Sequence, residues 1–441
     1  MKKYIFTVFA VAAVLTSCSK SLELNGDINS GAKAITTIGA STEISTRAVV
    51  SSSDDTKVNW ETGDQLGVLG ANGSSQARNL AYTLDGDGGS TIGTFKNGTS
   101  DITTISAIMY PYQASASWDG TNSKLTCEIP SVQKAVKGSF DKNAAVMYSI
   151  GNTTNVKLNY AVNFLKVTVS ESETNVHAIS ISSSNALSGK MEITSSGVTA
   201  ASSGSLKSVT LIAEKGQFLT AGDYYIAVKA GNIENPTISY VYLDQTNHTA
   251  TEKSKAGSGT LSFAEDTNVK PISVDWTGAT ERKAFQLWEN GPKFAEMNLG
   301  ATSATEVGDT YPFSATGEND NAATTWGDNW RTPSKADMEH LMTAATGVID
   351  EKVKCVYTQE GSTYGFKFTG ITAGYTSNSV FFPAQGGSSN FGGAAYYWSG
   401  TADGSKTCRM RLYCNDGNLR SQWVSLVGQD YRCLVRPVLK N

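Results

Sequence analysis

The sequence has little charge and lacks an excess of basic residues. Lys and Arg together number 36 against 40 for Asp and Glu, the formal net charge is −4, and charged residues make up 17% of the 441 residues. Binding of nucleic acid through general electrostatics requires a clustered excess of Lys and Arg, so the composition excludes that class of function. Aromatic residues reach 9%, which argues against a disordered chain.

Motifs that carry catalysis or metal binding are also missing. The sequence contains no GxSxG, HExxH, P-loop or Rossmann glycine motif, and His177, His248 and His340 are isolated. No CxxC or Cys/His spacing indicates zinc. A glycosidase with two carboxylates needs no local motif, but nothing in the chain favours one. We predict that the protein is not an enzyme and needs no cofactor or metal.

Cysteines are few, and their spacing does not fix a pairing. Cys355, Cys408, Cys414 and Cys433 lie in the last quarter of the chain, and four cysteines allow about three disulfide connectivities. Cys127 lies in a strand-like segment and is predicted to be a buried free thiol.

The N-terminus has an apolar run that is too short to span a membrane. Lys2 and Lys3 precede the run 4–15, whereas a transmembrane helix needs about 20 apolar residues. Cys18 follows Leu-Thr-Ser, which resembles the bacterial lipobox, in which the thiol is acylated, for example with palmitate, and becomes the mature N-terminus. The alternative is an ordinary signal peptide. We predict a lipoprotein signal peptide at 1–18, lipidation of Cys18 and export to the outer membrane or cell surface.

Short apolar stretches separated by glycine and asparagine turns predict a mostly β protein from residue 58 onward. Residues 19–47 are polar, lack aromatics and are predicted to be a pro-segment or linker. The clearest strand is 156–164, where every second residue is apolar. The alternation slips at Phe164 and Leu165, which predicts a bulge or a strand that passes between sheets.

The last part of the chain has a helix signal. Ser334 is a predicted N-cap with Asp337 three residues later, and Met338, Leu341 and Met342 share one face. The final region is therefore predicted to be α+β. A polar, glycine-bearing stretch at 256–267 precedes it and places the boundary near 274–278.

The region from Arg47 to about Trp276 resembles the Bacteroidetes fimbrillin-like (Mfa-like) lipoproteins, the subunits and tip proteins of donor-strand pili. The resemblance is carried by 46–48 (TRA), 58–68 (VNWETGDQLGV), 107–112 (AIMYPY), 129–133 (IPSVQ) and the strand 158–169. It implies two transthyretin-like β-sandwiches at 48–155 and 156–276.

Residues 287–438 resemble the Fibrobacter-type major paralogous domain. Trp288, 298–301 (NLGA), 330–334 (WRTPS), 381–384 (FFPA), 397–399 (YWS) and 435–438 (VRPV) carry this resemblance. It implies a module at 280–441 with a C-type-lectin-like or formylglycine-generating-enzyme-like fold. The expected fold is thus multidomain: an all-β sandwich pair followed by an α+β C-type-lectin-like domain.

The fimbrillin-like resemblance implies proteolytic processing between Arg47 and Ala48 by an arginine-specific surface protease. Cleavage would remove the first strand with the lipid anchor and open a groove for a strand from another subunit. The alternative is an exposed arginine that is never cut. In that family the donor strand comes from the C-terminus, but here the C-terminus closes a separate module, which favours a pilus tip subunit over a shaft subunit.

Aromatic and basic residues of the final module are the candidate ligand contacts. Trp326 and Trp423 lie in polar contexts and are predicted to contact a sugar, whereas Trp330 and Trp398 are predicted to be core residues. Five arginines near the end form either a site for carboxylated or sulfated glycans or a set of ion pairs and loop hydrogen bonds: Arg409, Arg411, Arg420, Arg432 and Arg436.

The sequence therefore predicts a cell-surface fimbrillin-like lipoprotein, a pilus tip subunit and adhesin assembled by donor-strand exchange. Its expected partners are other pilus subunits, a host or bacterial surface glycan or protein, and the membrane before processing, with no nucleic acid. One alternative is a permanently anchored outer-membrane lipoprotein that binds glycan or protein. Another is an enzyme of the formylglycine-generating-enzyme-like fold, in which substitution of Cys408 or Cys433 would abolish turnover.

Overall fold

Strands dominate the computed structural model, which describes residues 33–42, 59–263, 268–315, 320–348, 350–385, 393–402, 406–426 and 431–440. A 3-10 helix (Lys142–Ala144) and two α-helices, α1 (Asn321–Trp326) and α2 (Lys335–Ala344), interrupt them. Within these ranges no helix is long and apolar enough to cross a membrane. The prediction of a largely β chain is confirmed.

The strands before the middle of the chain are β1 (Thr37–Ser41), β2 (Gln65–Asn72), β3 (Ala77–Leu84), β4 (Ile92–Lys96), β5 (Ile102–Tyr110), β6 (Ser117–Asp119), β7 (Lys124–Ile129), β8 (Val132–Lys134), β9 (Met147–Ile150), β10 (Asn155–Lys157), β11 (Asn159–Tyr160), β12 (Val162–Val169), β13 (Val176–Ser182), β14 (Ser188–Thr194), β15 (Gly197–Leu206), β16 (Ser208–Ile212) and β17 (Gly222–Lys229).

The later strands are β18 (Ile233–Glu234), β19 (Thr237–Asp244), β20 (Thr249–Ala256), β21 (Thr260–Leu261), β22 (Val269–Ile272), β23 (Thr280–Gln286), β24 (Lys293–Ala295), β25 (Tyr311–Pro312), β26 (Trp330–Arg331), β27 (Val353–Glu360), β28 (Thr363–Gly370), β29 (Ser379–Pro383), β30 (Ala395–Trp398), β31 (Thr407–Asn415), β32 (Asn418–Leu426), β33 (Arg432–Cys433) and β34 (Val438–Leu439).

Facing sheets enclose the first two cores in a sandwich-like arrangement. An eight-stranded sheet, β10-β1-β4-β3-β2-β5-β9-β11, and a four-stranded sheet, β15-β14-β7-β6, contribute to the first core. The three-stranded sheet β17-β12-β22 and strands β13, β16 and β19 of a nine-stranded sheet contribute to the second. Because alternate side chains point to opposite faces of a strand, β12 serves both cores.

The segment 156–169 differs from its predicted single strand. It is divided into β10 and β11, which lie at opposite ends of the eight-stranded sheet, and β12 in a different sheet. The apparent slip at Phe164 and Leu165 is not a bulge: Phe164 belongs to the first core and Leu165 to the second, so β12 is buried on both faces. The passage between sheets lies earlier, at Ala161.

A continuous sheet crosses both predicted domain boundaries, at 155/156 and 276/280. In the nine-stranded sheet, order β26-β34-β24-β23-β20-β19-β13-β16-β8, β23 pairs antiparallel with β20. Strand β8, from the predicted first sandwich, pairs with β16 of the predicted second. The sheet thus joins the regions on either side of each boundary through paired strands. The boundaries at 155/156 and 276/280 themselves stay predictions.

The predicted helix start is confirmed at α2. The Ser334 hydroxyl accepts a hydrogen bond from the Asp337 N–H, and the Asp337 carboxylate accepts one from the Ser334 N–H. Met338, Leu341 and Met342 are buried on the core side. Burial alone would raise the pKa of Asp337, but bonds from Arg331 and Ser334 outweigh it and leave the pKa below its usual value.

Candidate functional site

Strand β1 lies inside the eight-stranded sheet although it precedes the first predicted domain. It pairs antiparallel with β4, from Thr37 opposite Lys96 to Ser41 opposite Ile92, and parallel with β10. Both of its edges are therefore occupied by the chain's own strands. The sequence-based prediction of a polar pro-segment at 19–47 missed this strand, because only Ile38 and Ala40 alternate in a stretch of small residues.

Backbone hydrogen bonds hold the ends of β1 as well as its centre. The Ile35 N–H donates to Ile102 O at 2.7 Å, and the Leu158 N–H donates to Ser41 O at 3.0 Å. The Tyr82 hydroxyl donates to Ile35 O at 2.6 Å. Backbone hydrogen bonds also join β1 to both neighbouring strands, β4 and β10. If β1 left, the N–H and C=O groups of these strands that face it would lose their partners.

The inward side chains of β1 fill the first core. Ile38 and Ala40 are buried in the cluster that holds Trp60 and Phe95, and Thr42 is fully buried after the strand. Gly39 faces β10 so closely that a Cβ there would lie 2.5 Å from the Asn155 side-chain oxygen. The β1 groove, defined as the space between β4 and β10, thus selects a short strand with a small residue between two apolar ones.

The predicted processing and lipidation residues flank this strand in sequence. Cys18, Arg47 and Ala48 lie outside the described residues. The first described residue after β1 and Thr42 is Asn59. Lipidation at Cys18 and cleavage between Arg47 and Ala48 stay predictions.

The C-terminal strand is part of a sheet. Strand β34 pairs with β24 on one side and with β26 on the other, and Val438 is fully buried. The Lys440 N–H donates to Asn329 O at 2.7 Å. These pairings occupy the final strand within its own chain.

Trp326, one of the two predicted ligand contacts, lies in a cleft of about 1530 Å³. Helix α1 positions it: the carboxylate of the N-cap Asp320 accepts from the Ala322 N–H at 2.8 Å and the Thr332 N–H at 2.9 Å. The ring packs edge-to-face on Trp330, and the Arg282 guanidinium carbon lies 4.8 Å from its centroid. Serine and threonine hydroxyls and lysines line much of the remaining cleft.

Arg282, which stacks on Trp326, also pairs with a buried carboxylate that no local sequence pattern indicates. Glu252 of β20 is 1% exposed and accepts hydrogen bonds from Trp330 Nε1 at 2.6 Å and Asn329 Nδ2 at 2.8 Å. Arg282 Nη1 forms an ion pair with it at 3.2 Å. The network joins β20 to the segment of Asn329 and Trp330 ahead of helix α2, across more than 70 residues of sequence, which local patterns do not encode.

Three further tryptophans of the final module differ in burial. Trp330 and Trp398 are buried, which confirms their predicted core role. Trp423, the second predicted ligand contact, is partly buried against the core of the final module, and the Lys335 ammonium lies 5.4 Å from its ring centroid. The structure thus places Trp326 and Trp423 in different surroundings, and their contact with a ligand stays a prediction.

Cys127, Cys355, Cys414 and Cys433 are free thiols. Cys127 is buried as predicted, and burial raises its pKa to about 12. Burial also raises the pKa of Cys355, and that of Cys433 despite the nearby Arg409. Thiols of this kind stay protonated at neutral pH and are weak nucleophiles. Within the same ranges no cluster of three or more His, Cys, Asp or Glu side chains forms a metal-binding group.

Comparisons with known proteins give one distant likeness. No family model matches the chain, and no curated protein matches it. Among solved structures, a "putative cell adhesion protein" from Bacteroides ovatus ATCC 8483 is similar, with 14% identity, a TM-score of 0.30 and coverage of 52% of this chain and 89% of that one. At this TM-score the likeness is too distant to identify a fold or a function.

Proposed function

We propose that the chain is a fimbrillin-like cell-surface lipoprotein that joins a pilus, as a tip subunit and adhesin, by donor-strand exchange. The observation that carries the proposal is β1: it ends at Ser41, ahead of Arg47, yet fills a groove between β4 and β10. In the proposed sequence of events, Cys18 is lipidated, the precursor reaches the outer membrane, and cleavage after Arg47 frees β1.

Loss of β1 would leave two open strand edges and the pockets of Ile38 and Ala40. Open edges with an apolar groove bind an added strand through backbone hydrogen bonds, and the pockets select its side chains. Another pilus subunit is the proposed strand donor. No catalytic step is assigned to the chain.

The placement of β34 supports a tip role over a shaft role. A shaft subunit must accept one strand and donate another, whereas β34 is held between β24 and β26 of its own chain. A subunit that keeps β34 in its own sheet does not give that strand to a neighbour, which favours a position at the end of the fibre. The proposed location is therefore the tip of a fimbria on the cell surface.

A second candidate function rests on the Trp326 cleft. A cleft of about 1530 Å³ with a tryptophan, hydroxyls and lysines is large enough for an oligosaccharide or peptide. Under this proposal the protein stays anchored through Cys18, and the eight-stranded sheet acts as a stalk. The two candidates differ in one event, the cut after Arg47.

Replacement of Arg47 separates the two functions. We expect Arg47→Ala and the charge-matched Arg47→Lys to remain in the outer membrane and to be lost from sheared surface fibres, because an arginine-specific protease no longer frees β1. Lys33→Ala, at an exposed position ahead of β1, is the control and should assemble normally. Immunoblots of fibre and membrane fractions measure the result. Wild-type amounts of both Arg47 variants in the fibres would contradict strand exchange after cleavage.

A further inference from the structure

The outer face of the sheet formed by β30, β31 and β32 carries an unusual set of side chains. In β31, Cys408, Met410, Leu412 and Cys414 are buried, so Arg409, Arg411 and Tyr413 project from the opposite face. Arg420 of β32 is paired across from Tyr413, and Tyr396 of β30 is paired across from Arg411. We call this surface the arginine face.

Tyrosine rings hold two of these guanidinium groups in place. The Arg409 guanidinium carbon lies 4.4 Å from the centroid of Tyr396 and 5.6 Å from that of Tyr431. The Arg411 carbon lies 4.4 Å from the centroid of Tyr413. Stacking on aromatic rings restricts the long arginine side chains and so reduces the entropy that a ligand must remove.

The arginines of this face lack carboxylate partners within the described ranges. Arg409 Nε and Arg411 Nε are buried without a hydrogen-bond partner, and Arg409 Nη1 reaches only the Cys433 sulfur, at 3.7 Å. Elsewhere in those ranges Arg78, Arg282 and Arg331 pair with carboxylates. Arg432 and Arg436 donate to backbone carbonyls, although Arg436 Nε also has no hydrogen-bond partner. Among the described residues Arg409, Arg411 and Arg420 thus make none of the expected ion pairs, while Asp403 and Asp430 lie outside those residues.

The three cations form a row along the strands. Residues two apart on one strand are separated by about 7 Å along it. Arg420 stands beside Tyr413 on the neighbouring strand, so the row from Arg409 through Arg411 to Arg420 is about 14 Å long. A linear chain with an anionic group on successive units matches such a row. Arginine binds carboxylate and sulfate through two parallel N–H donors, which favours either group.

We propose that the arginine face binds a linear polysaccharide that carries carboxylate or sulfate groups. Nucleic acid fits this surface less well, because single strands stack their bases on aromatic rings and Arg409 and Arg411 already cover Tyr396 and Tyr413. The net charge of −4 also provides no broad positive field around the row. The inference goes beyond strand exchange, since the face lies in the final module and β1 in the eight-stranded sheet.

Binding of heparin and polygalacturonate to the full-length protein tests the proposal. We expect both to bind, more weakly at higher salt, while neutral dextran does not. In Arg411→Gln/Arg420→Gln the Kd for the better-bound probe should rise about 10- to 100-fold, because two charge-assisted contacts are removed. Lys190→Gln/Lys354→Gln removes two equivalent charges at exposed positions elsewhere and should bind like wild type.

Several outcomes would overturn the proposal. Failure of both anionic polysaccharides to bind the wild-type protein is one, and unchanged affinity in a folded Arg411→Gln/Arg420→Gln variant is another. Equal binding of a single-stranded DNA, lost in the same variant, would make the face a general polyanion site and contradict the polysaccharide assignment. Thermal unfolding checks folding, and the exposed Arg420→Gln alone replaces the double variant if the latter is unfolded. None of these results depends on the fate of β1.

Discussion

A chain that begins at Ala48 is expected to be less stable than one that begins at Lys33 by about 3–5 kcal/mol, because burial of Ile38 is worth about 2–5 kcal/mol and β1 adds backbone hydrogen bonds. The shorter chain loses β1, which fills the groove between β4 and β10. Urea unfolding followed through tryptophan fluorescence measures the difference, since Trp60 is buried in the same core.

A peptide of residues 33–42 makes the result specific. Added to the Ala48 chain, it should restore most of the lost stability by re-forming β1, and the gain should rise with the logarithm of its concentration above the Kd. The same peptide with Ile38→Asp is the control and should not, because a carboxylate would enter an apolar core. A free energy of unfolding equal in the two chains, or no response to the peptide, would show that the groove does not depend on an inserted strand.

Replacement of Glu252 is expected to have the second large effect. Glu252→Ala should lower the free energy of unfolding by about 3–5 kcal/mol, because it leaves Asn329 and Trp330 Nε1 buried without their acceptor and Arg282 without its carboxylate. Glu252→Gln keeps one acceptor oxygen and should lose less. Denaturant unfolding of the purified variants measures both.

Glu281→Ala is the matched control for Glu252. Glu281 lies on the neighbouring strand, its side chain is 57% exposed, and its contact with Lys253 is 3.9 Å, so its loss should change stability by less than about 1 kcal/mol. If Glu252→Ala is no more destabilising than this control, the buried network does not join β20 to the region around Trp330.

The local parts of the fold follow from sequence and the distant pairings do not. Helix α2 was predicted because Ser334 and Asp337 lie three residues apart and satisfy each other. The division of 156–169 into three strands was not, because an alternating pattern continues unchanged when a strand changes sheets. Only the pairing of β10 and β11 with different strands marks the breaks.

The candidate sites show the same limit. The fimbrillin-like resemblance implied a removable first strand but did not locate it at 37–41, since Gly39 and its small neighbours lack a strong strand pattern. Trp326 was singled out from its polar context, whereas Glu252 was not, because its partners Asn329 and Trp330 are 77 and 78 residues away. The five C-terminal arginines were noticed as a set. Only the structure separates Arg409 and Arg411, which stack on Tyr396 and Tyr413, from Arg436, which is buried and donates to a backbone carbonyl.

The N-terminal residue and mass of the protein from its own cell surface, with and without an inhibitor of arginine-specific proteases, test the central claim most directly. Strand exchange after cleavage predicts a chain that starts at Ala48 and disappears under the inhibitor, replaced by one with an acylated Cys18. An acylated Cys18 on all of the material in both conditions would contradict the claim, and the permanently anchored receptor would then be the function to pursue.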